Sequence, residues 1–278
     1  MKRPAPLPEV AVNFALTWDG KTSTRNFTPA TFSSKRDKHR LLEIRSTGDA
    51  LLVGLNTIAA DNMSMGLPDE SLRRQRLRRK QAPFPIRVIV TNSGKIHPRL
   101  KVFQTDFSPV IIYSTERMPP RTQTALAGKA ALHLHAGGTV DLRKMLRHLS
   151  ECYKVKRIVC EGGPSLFRSL LAQDLVDEIN LTLCPLVFGG LSAPTLTSVP
   201  GDFLPHAVHC ELAKMETVNG ECFLRYKVSR AEDAFLRFLD RDMSANPGNI
   251  KPVNVSVMKK VRKLVAEIKV DLDSPLAP

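Results

Sequence analysis

The sequence predicts an α/β fold: a central, mostly parallel sheet, helices on both faces and antiparallel strands at its C-terminal end. Three observations carry this. Short apolar runs recur along the chain, and stretches of helical periodicity separate them. The last two runs, at 177–183 and 221–228, have no long helix between them, which suits antiparallel pairing. Apolar residues make up 42% of the 278 positions, enough for a substantial core.

The elements follow in order. Residues 10–16 read as a first strand, and Asp19 and Gly20 as the turn that ends it. Ser33 and Ser34 can cap a helix over 35–47, with Leu41, Leu42 and Ile44 inward. A buried strand at 50–54 leads into a short helix or turn at 57–61. Residues 62–85 read as an irregular, basic segment, with Arg73, Arg74, Arg76, Arg78, Arg79 and Lys80 crowded together. Strands follow at 86–90, 110–113 and 132–135. A helix at 142–153 sets Leu142, Met145, Leu146 and Leu149 on one face. A strand at 157–160 runs through a glycine turn into a helix at 164–171. Past residue 229 the pattern changes to two helices, near 231–239 and 255–265. The chain therefore divides into a domain at 1–229 and a helical extension at 230–278.

Composition narrows the function. Lys and Arg number 41 against 27 Asp and Glu, a net charge of +14 that attracts anions. The basic run lacks interleaved aromatics, which disfavours nucleic acid and leaves a phosphorylated small molecule as the better partner. No run of about 18 apolar residues is present, and the first twenty positions lack a secretory pattern. The five cysteines lie far apart without C-x-x-C. They read as reduced, buried thiols of a cytoplasmic protein rather than a metal site.

Four stretches at strand ends can carry chemistry, where open α/β sheets place their ligands. Asp19-Gly20-Lys21 puts charge at a strand exit, or forms a plain surface turn. Gly54 and Thr57 offer close backbone approach and a hydroxyl, or merely cap a helix. Glu161-Gly162-Gly163-Pro164-Ser165-Leu166 supplies free amides at a helix start, with proline at the first helical position. A diphosphate fits those amides, and Glu161 should then face away from it, toward a neutral or cationic group. The motif lacks the G-x-G-x-x-G spacing of a Rossmann site. The fourth stretch, Phe188-Gly189-Gly190, shapes a loop after a strand.

Taken in order, with Ile44-Arg45 and Arg87-Val88-Ile89-Val90 between them, these stretches resemble the reductase domain of bacterial and archaeal riboflavin biosynthesis over residues 8–229. The resemblance implies a dihydrofolate reductase-like fold, NADPH as cofactor and a homodimer. It also implies reduction of the ribosyl group of a diaminopyrimidinone 5′-phosphate to ribityl. By position it assigns Gly54, Thr57, Asp61, Asn92, Ser93, Gly162, Gly163, Pro164, Ser165 and Leu166 to the cofactor. Asn13, Asp19, Lys21, Arg45 and Glu161 fall to the substrate, and Glu161, Lys21 and Asp61 carry the chemistry. The family's L-T-x-R arginine is missing after Asp61, which leaves Arg73, Arg74 or Arg76 as replacements and keeps a different small-molecule substrate open. The extension resembles the C-terminal part of PrlF-type antitoxins through Ala234-Phe235-Leu236, Leu239 to Met243 and Val270 to Leu276. That implies a toxin partner or a regulatory role; the alternative is a helical extension packing on the core or on a second subunit.

Overall fold

The computed structural model describes residues 6–23, 32–190, 193–197, 203–229, 239 and 242–247. The chain divides into two compact units, Met1–Arg230 and Ala231–Pro278. The two helices expected between 231 and 265 lie almost wholly outside the described residues.

The first unit holds nine strands: β1 Glu9–Thr17, β2 Ala50–Gly54, β3 Ile86–Val90, β4 Val110–Thr115, β5 Ala131–His135, β6 Arg157–Cys160, β7 Glu178–Cys184, β8 His209–Val218 and β9 Glu221–Ser229. Its helices are α1 Lys35–Arg45, α2 Leu55–Asp61, α3 Glu70–Arg78, α4 Pro120–Leu126, α5 Leu142–Tyr153 and α6 Pro164–Leu171. The strands form one sheet in the order β5-β4-β3-β2-β6-β1-β7-β9-β8. Every pairing from β5 to β7 is parallel, and β9 runs antiparallel to both β7 and β8. The mostly parallel sheet with antiparallel C-terminal strands is thus as the sequence predicts.

Alternation along the central strands feeds two cores. Val10, Val12, Ala50, Leu52 and Ile158 pack with Met145, Leu149, Phe167 and Leu170 of α5 and α6. Leu51, Val53, Val159 and Ile89 pack on the other face with Ile58 of α2 and Leu126 of α4. Successive strand residues point to opposite faces, so strands covered on both sides read as unbroken apolar runs.

Four readings need correction. Residues 62–85 are not irregular: Asp69 accepts bonds from the Ser71 and Leu72 amides and starts α3. The crowding of charge hid that cap and the buried Leu72–Arg76 pair one turn apart. On α1 the buried residues are Asp37, Arg40 and Arg45 rather than Leu41, Leu42 and Ile44. The reason is polar groups on the sheet: Arg40 donates to Leu181 O at 3.0 Å, Thr182 Oγ1 at 2.9 Å and Leu224 O at 2.7 Å. β8 was not expected, because almost all its residues are exposed and no apolar alternation marks it. All five cysteines are free, but Cys152 and Cys210 are exposed. Burial pushes the Cys160 and Cys184 thiols up to about 12, so neither is a ready nucleophile.

Candidate active site

The carboxyl ends of β1, β2, β3 and β6 open into a cleft of about 990 Å³. The glycine turn after β6 forms its floor. Gly163 N donates to Thr57 Oγ1 at 2.8 Å, tying the start of α6 to α2. Gly162 is buried beneath, where a Cβ would lie 2.8 Å from Gly54 N; that close approach, not backbone conformation, requires glycine. Gly163 caps α6, Pro164 occupies its first turn, and Ser165 and Leu166 stand on the cleft wall. These residues fit a phosphorylated dinucleotide, since a side chain at Gly163 would reach 2.7 Å from Thr57 Oγ1 and fill the cradle.

Asn92 and Ser93 lie farther along the same wall. Asn92 Oδ1 accepts from Val140 N at 2.9 Å and its carbonyl from Thr115 Oγ1 at 2.7 Å, so the loop after β3 is held firmly.

On the opposite side Glu161 faces Arg45 in a bidentate pair, with Nε–Oε1 at 2.5 Å and Nη2–Oε2 at 2.6 Å. Their side chains are only 9% and 7% exposed. Burial pulls the guanidinium pKa down, but Glu161 outweighs it and the net shift is upward. Arg45 Nη1 also donates to Gly66 O at 3.0 Å. Asn13 lines the same end of the cleft, and its Oδ1 is buried with no hydrogen-bond partner. A buried acceptor left without a donor is costly, so Asn13 Oδ1 is available to a donor from a molecule bound in the cleft.

Asp61 completes the wall. Burial raises its pKa, Glu161 raises it further, and Arg45 opposes both. A carboxyl whose folded pKa exceeds its unfolded value stabilises below the unfolded pKa, and that contribution is lost as pH rises through the folded one. Asp61→Asn is therefore expected to melt at a higher temperature than the wild type at pH 7. The gap should close as the pH falls below the carboxylate range. Thermal melts across pH would refute this if the variant were no more stable at neutral pH.

Other sequence-predicted groups lie elsewhere. Neither Asp19 nor Lys21 lines the cleft. Asp19 accepts from Thr17 Oγ1 at 2.6 Å and from the Phe188 and Gly189 amides at 3.1 and 2.7 Å. The Thr17 hydroxyl and those amides hold its carboxyl down at about 2. Lys21 forms an isolated backbone bridge with Thr195. The strand exit thus folds onto the 186–190 loop, and Asp19 and Lys21 belong to that turn. The basic helix does not reach the cleft either. Arg76 is buried and donates to Ser46 O, Gly48 O and Ala82 O at 2.9, 2.5 and 2.8 Å. Arg73 donates to Leu67 O and Pro68 O, and Arg74 pairs with Glu70. The wall residues that sequence reasoning missed include Lys38, whose only signal was its place on one face of α1 with Leu41 and Arg45. Among the described residues no cluster of His, Cys, Asp or Glu is arranged to hold a metal ion, and no helix is long and apolar enough to cross a membrane.

The model of the RibD C-terminal domain matches residues 8–224. The chain belongs to that family. Among RibD-type relatives, 2,5-diamino-6-ribosylamino-4(3H)-pyrimidinone 5′-phosphate reductase of Methanothermobacter thermautotrophicus is 31% identical over 222 residues, covering 80% of this chain and 98% of the relative. The protein of the same name from Archaeoglobus fulgidus is 29% identical over 217 residues, covering 78% and 95%. In fold, a pyrimidine reductase-like protein from Corynebacterium diphtheriae superposes with a TM-score of 0.70 at 21% identity, covering 80% of this chain and 92% of that one. The fold of the RibD C-terminal family is dihydrofolate reductase-like, as the sequence resemblance implied. A second model, the prlF antitoxin for the YhaV toxin, matches residues 216–278.

Proposed function

We propose that the chain is an NADPH-dependent reductase that converts the ribosyl group of 2,5-diamino-6-ribosylamino-4(3H)-pyrimidinone 5′-phosphate to ribityl. The observation that carries this reading is the meeting, at the end of β6, of a dinucleotide cradle and a buried, Arg45-held carboxylate in one cleft. The names of the RibD-family relatives support it. When bound, NADPH would supply the hydride. Gly163, Thr57 and Ser165 at the start of α6 would hold its diphosphate, and Asn92 and Ser93 its adenosine end.

The substrate side follows from unused bonding capacity. Each Glu161 oxygen takes one Arg45 bond and retains room for another donor. Asn13 Oδ1 takes none. Amino groups of a diaminopyrimidinone are donors of the required kind. Reduction of an open-chain imine consumes one proton per hydride. Burial and Glu161 make Asp61 a readier proton carrier than an ordinary carboxyl. Orientation supplies much of the remaining rate.

Residues 1–229 form the reductase domain in this reading, the protein is cytoplasmic, and it works as a homodimer. For residues 230–278 the antitoxin-model match favours a second role, capture of a toxin, which a pull-down of the full chain against that toxin class tests. The reductase reading is tested by nucleotide-dependent melting and by NADPH oxidation with the pyrimidine substrate. NADPH at a hundredfold excess over Kd should stabilise the protein by about 2.7 kcal/mol, well beyond NADH. No shift with either nucleotide at saturating levels would sink the proposal.

A further inference from the structure

Among the described residues, the cleft holds one cation with no ion-pair or hydrogen-bond partner. Among its described lining residues only Lys38 and Arg45 are cationic. Arg45 is committed to Glu161 and Gly66. The Lys38 ammonium is exposed and has no ion pair or hydrogen bond among the described residues. The arginines of α3 are turned to backbone carbonyls or to Glu70 and do not line the cleft.

Lys38 is also placed at a defined distance and direction. The first half of α1 is pinned over β7 and β9: Thr182 Oγ1 donates to Asp37 Oδ1 at 2.5 Å, and Ser34 Oγ donates to Glu221 Oε2 at 2.5 Å. Its last residue, Arg45, meets Glu161 after β6. Lys38 and Arg45 are seven residues apart on one helix face, a rise of about 10 Å. The cofactor cradle lies the other way, across β6, β2 and β3. A ligand whose ring sits against Glu161 and Asn13 and whose chain runs along α1 would end at Lys38, on the side away from the nicotinamide diphosphate. Ser33, on the same wall, adds a hydroxyl there.

We propose that Lys38 anchors the 5′-phosphate of the substrate, and so selects the phosphorylated over the dephosphorylated pyrimidine riboside. The proposal rests on the reductase reading above. A phosphate dianion is what an unpaired, solvent-open ammonium at the rim recognises, and charge-assisted bonds of this kind are the stronger class.

The test uses the full chain with NADPH and two substrates, the ribosylamino pyrimidinone 5′-phosphate and its dephosphorylated riboside. Lys38→Ala should raise KM for the phosphate about 10- to 100-fold. NADPH affinity should stay at the wild-type value, and the KM penalty should vanish with the riboside. Lys38→Arg should recover most of the loss. An unchanged KM for the phosphate, or an equal rise for both substrates, would overturn the assignment while leaving the reductase reading intact. A wild-type protein that binds NADPH but turns over neither substrate would overturn both.

Discussion

Replacing Arg45 by alanine is expected to destabilise the protein by about 3–5 kcal/mol. The pair it forms with Glu161 is almost fully buried, so removal of one partner strands the other charge. Gly66 O loses its donor as well. Glu161→Gln keeps the shape and removes the charge. It should cost less stability than Arg45→Ala and, on the proposed function, cut turnover sharply while sparing NADPH affinity, because Glu161 faces Arg45 rather than the start of α6. The double variant Arg45→Met/Glu161→Leu separates stability from chemistry. Two apolar side chains of similar volume can replace a buried pair at little cost, so the double variant should regain most of the lost stability and none of the activity. Denaturant titration with steady-state rates reads both. A loss under about 1 kcal/mol for Arg45→Ala would mean the pair behaves as an exposed one.

That pair also marks where sequence reasoning stopped. The family resemblance assigns both Arg45 and Glu161 to the substrate, each from its own stretch of sequence. That they hold one another, across 116 positions, follows only when the β2–β6 pairing brings the end of α1 over the end of β6. The glycine turn was legible because its requirements are local: small residues, a proline at the helix start, free amides. Asp19 differs for the opposite reason. A strand exit places a side chain near the mouth of a sheet, but its direction is set by the loop it meets, here the Phe188 and Gly189 amides. Charge density misled at Arg76, since a guanidinium that satisfies three backbone carbonyls can be buried where a count of charges expects solvent. β8 carried no signal, as an exposed edge strand has no face whose burial would impose a period.

Gly162→Ala should damage stability and cofactor binding together. Its new Cβ would lie 2.7 Å from Leu166 Cδ2, 2.8 Å from Gly54 N and 3.2 Å from Val53 Cα. The leucine can rotate away; the backbone of β2 cannot move without parting from β6, which it pairs through Ala50–Ile158 and Leu52–Cys160. Overpacking in a dense core costs about 1–3 kcal/mol, and relief here must come from the strand ends that shape the floor of the cleft, where we propose the cofactor binds. NADPH affinity should therefore fall with stability. Gly163→Ala is the control one residue on. Its Cβ meets only Thr57 Oγ1, at 2.7 Å, the end of a side chain that can turn. Turning it breaks the 2.8 Å bond to Gly163 N and unties α6 from α2 without separating strands. Gly163→Ala should thus weaken NADPH binding with a smaller loss of stability than Gly162→Ala. Equal stability losses in the two variants would show that β2 and β6 yield as easily as a threonine side chain, and the rigid floor assigned to the cofactor would have to be abandoned.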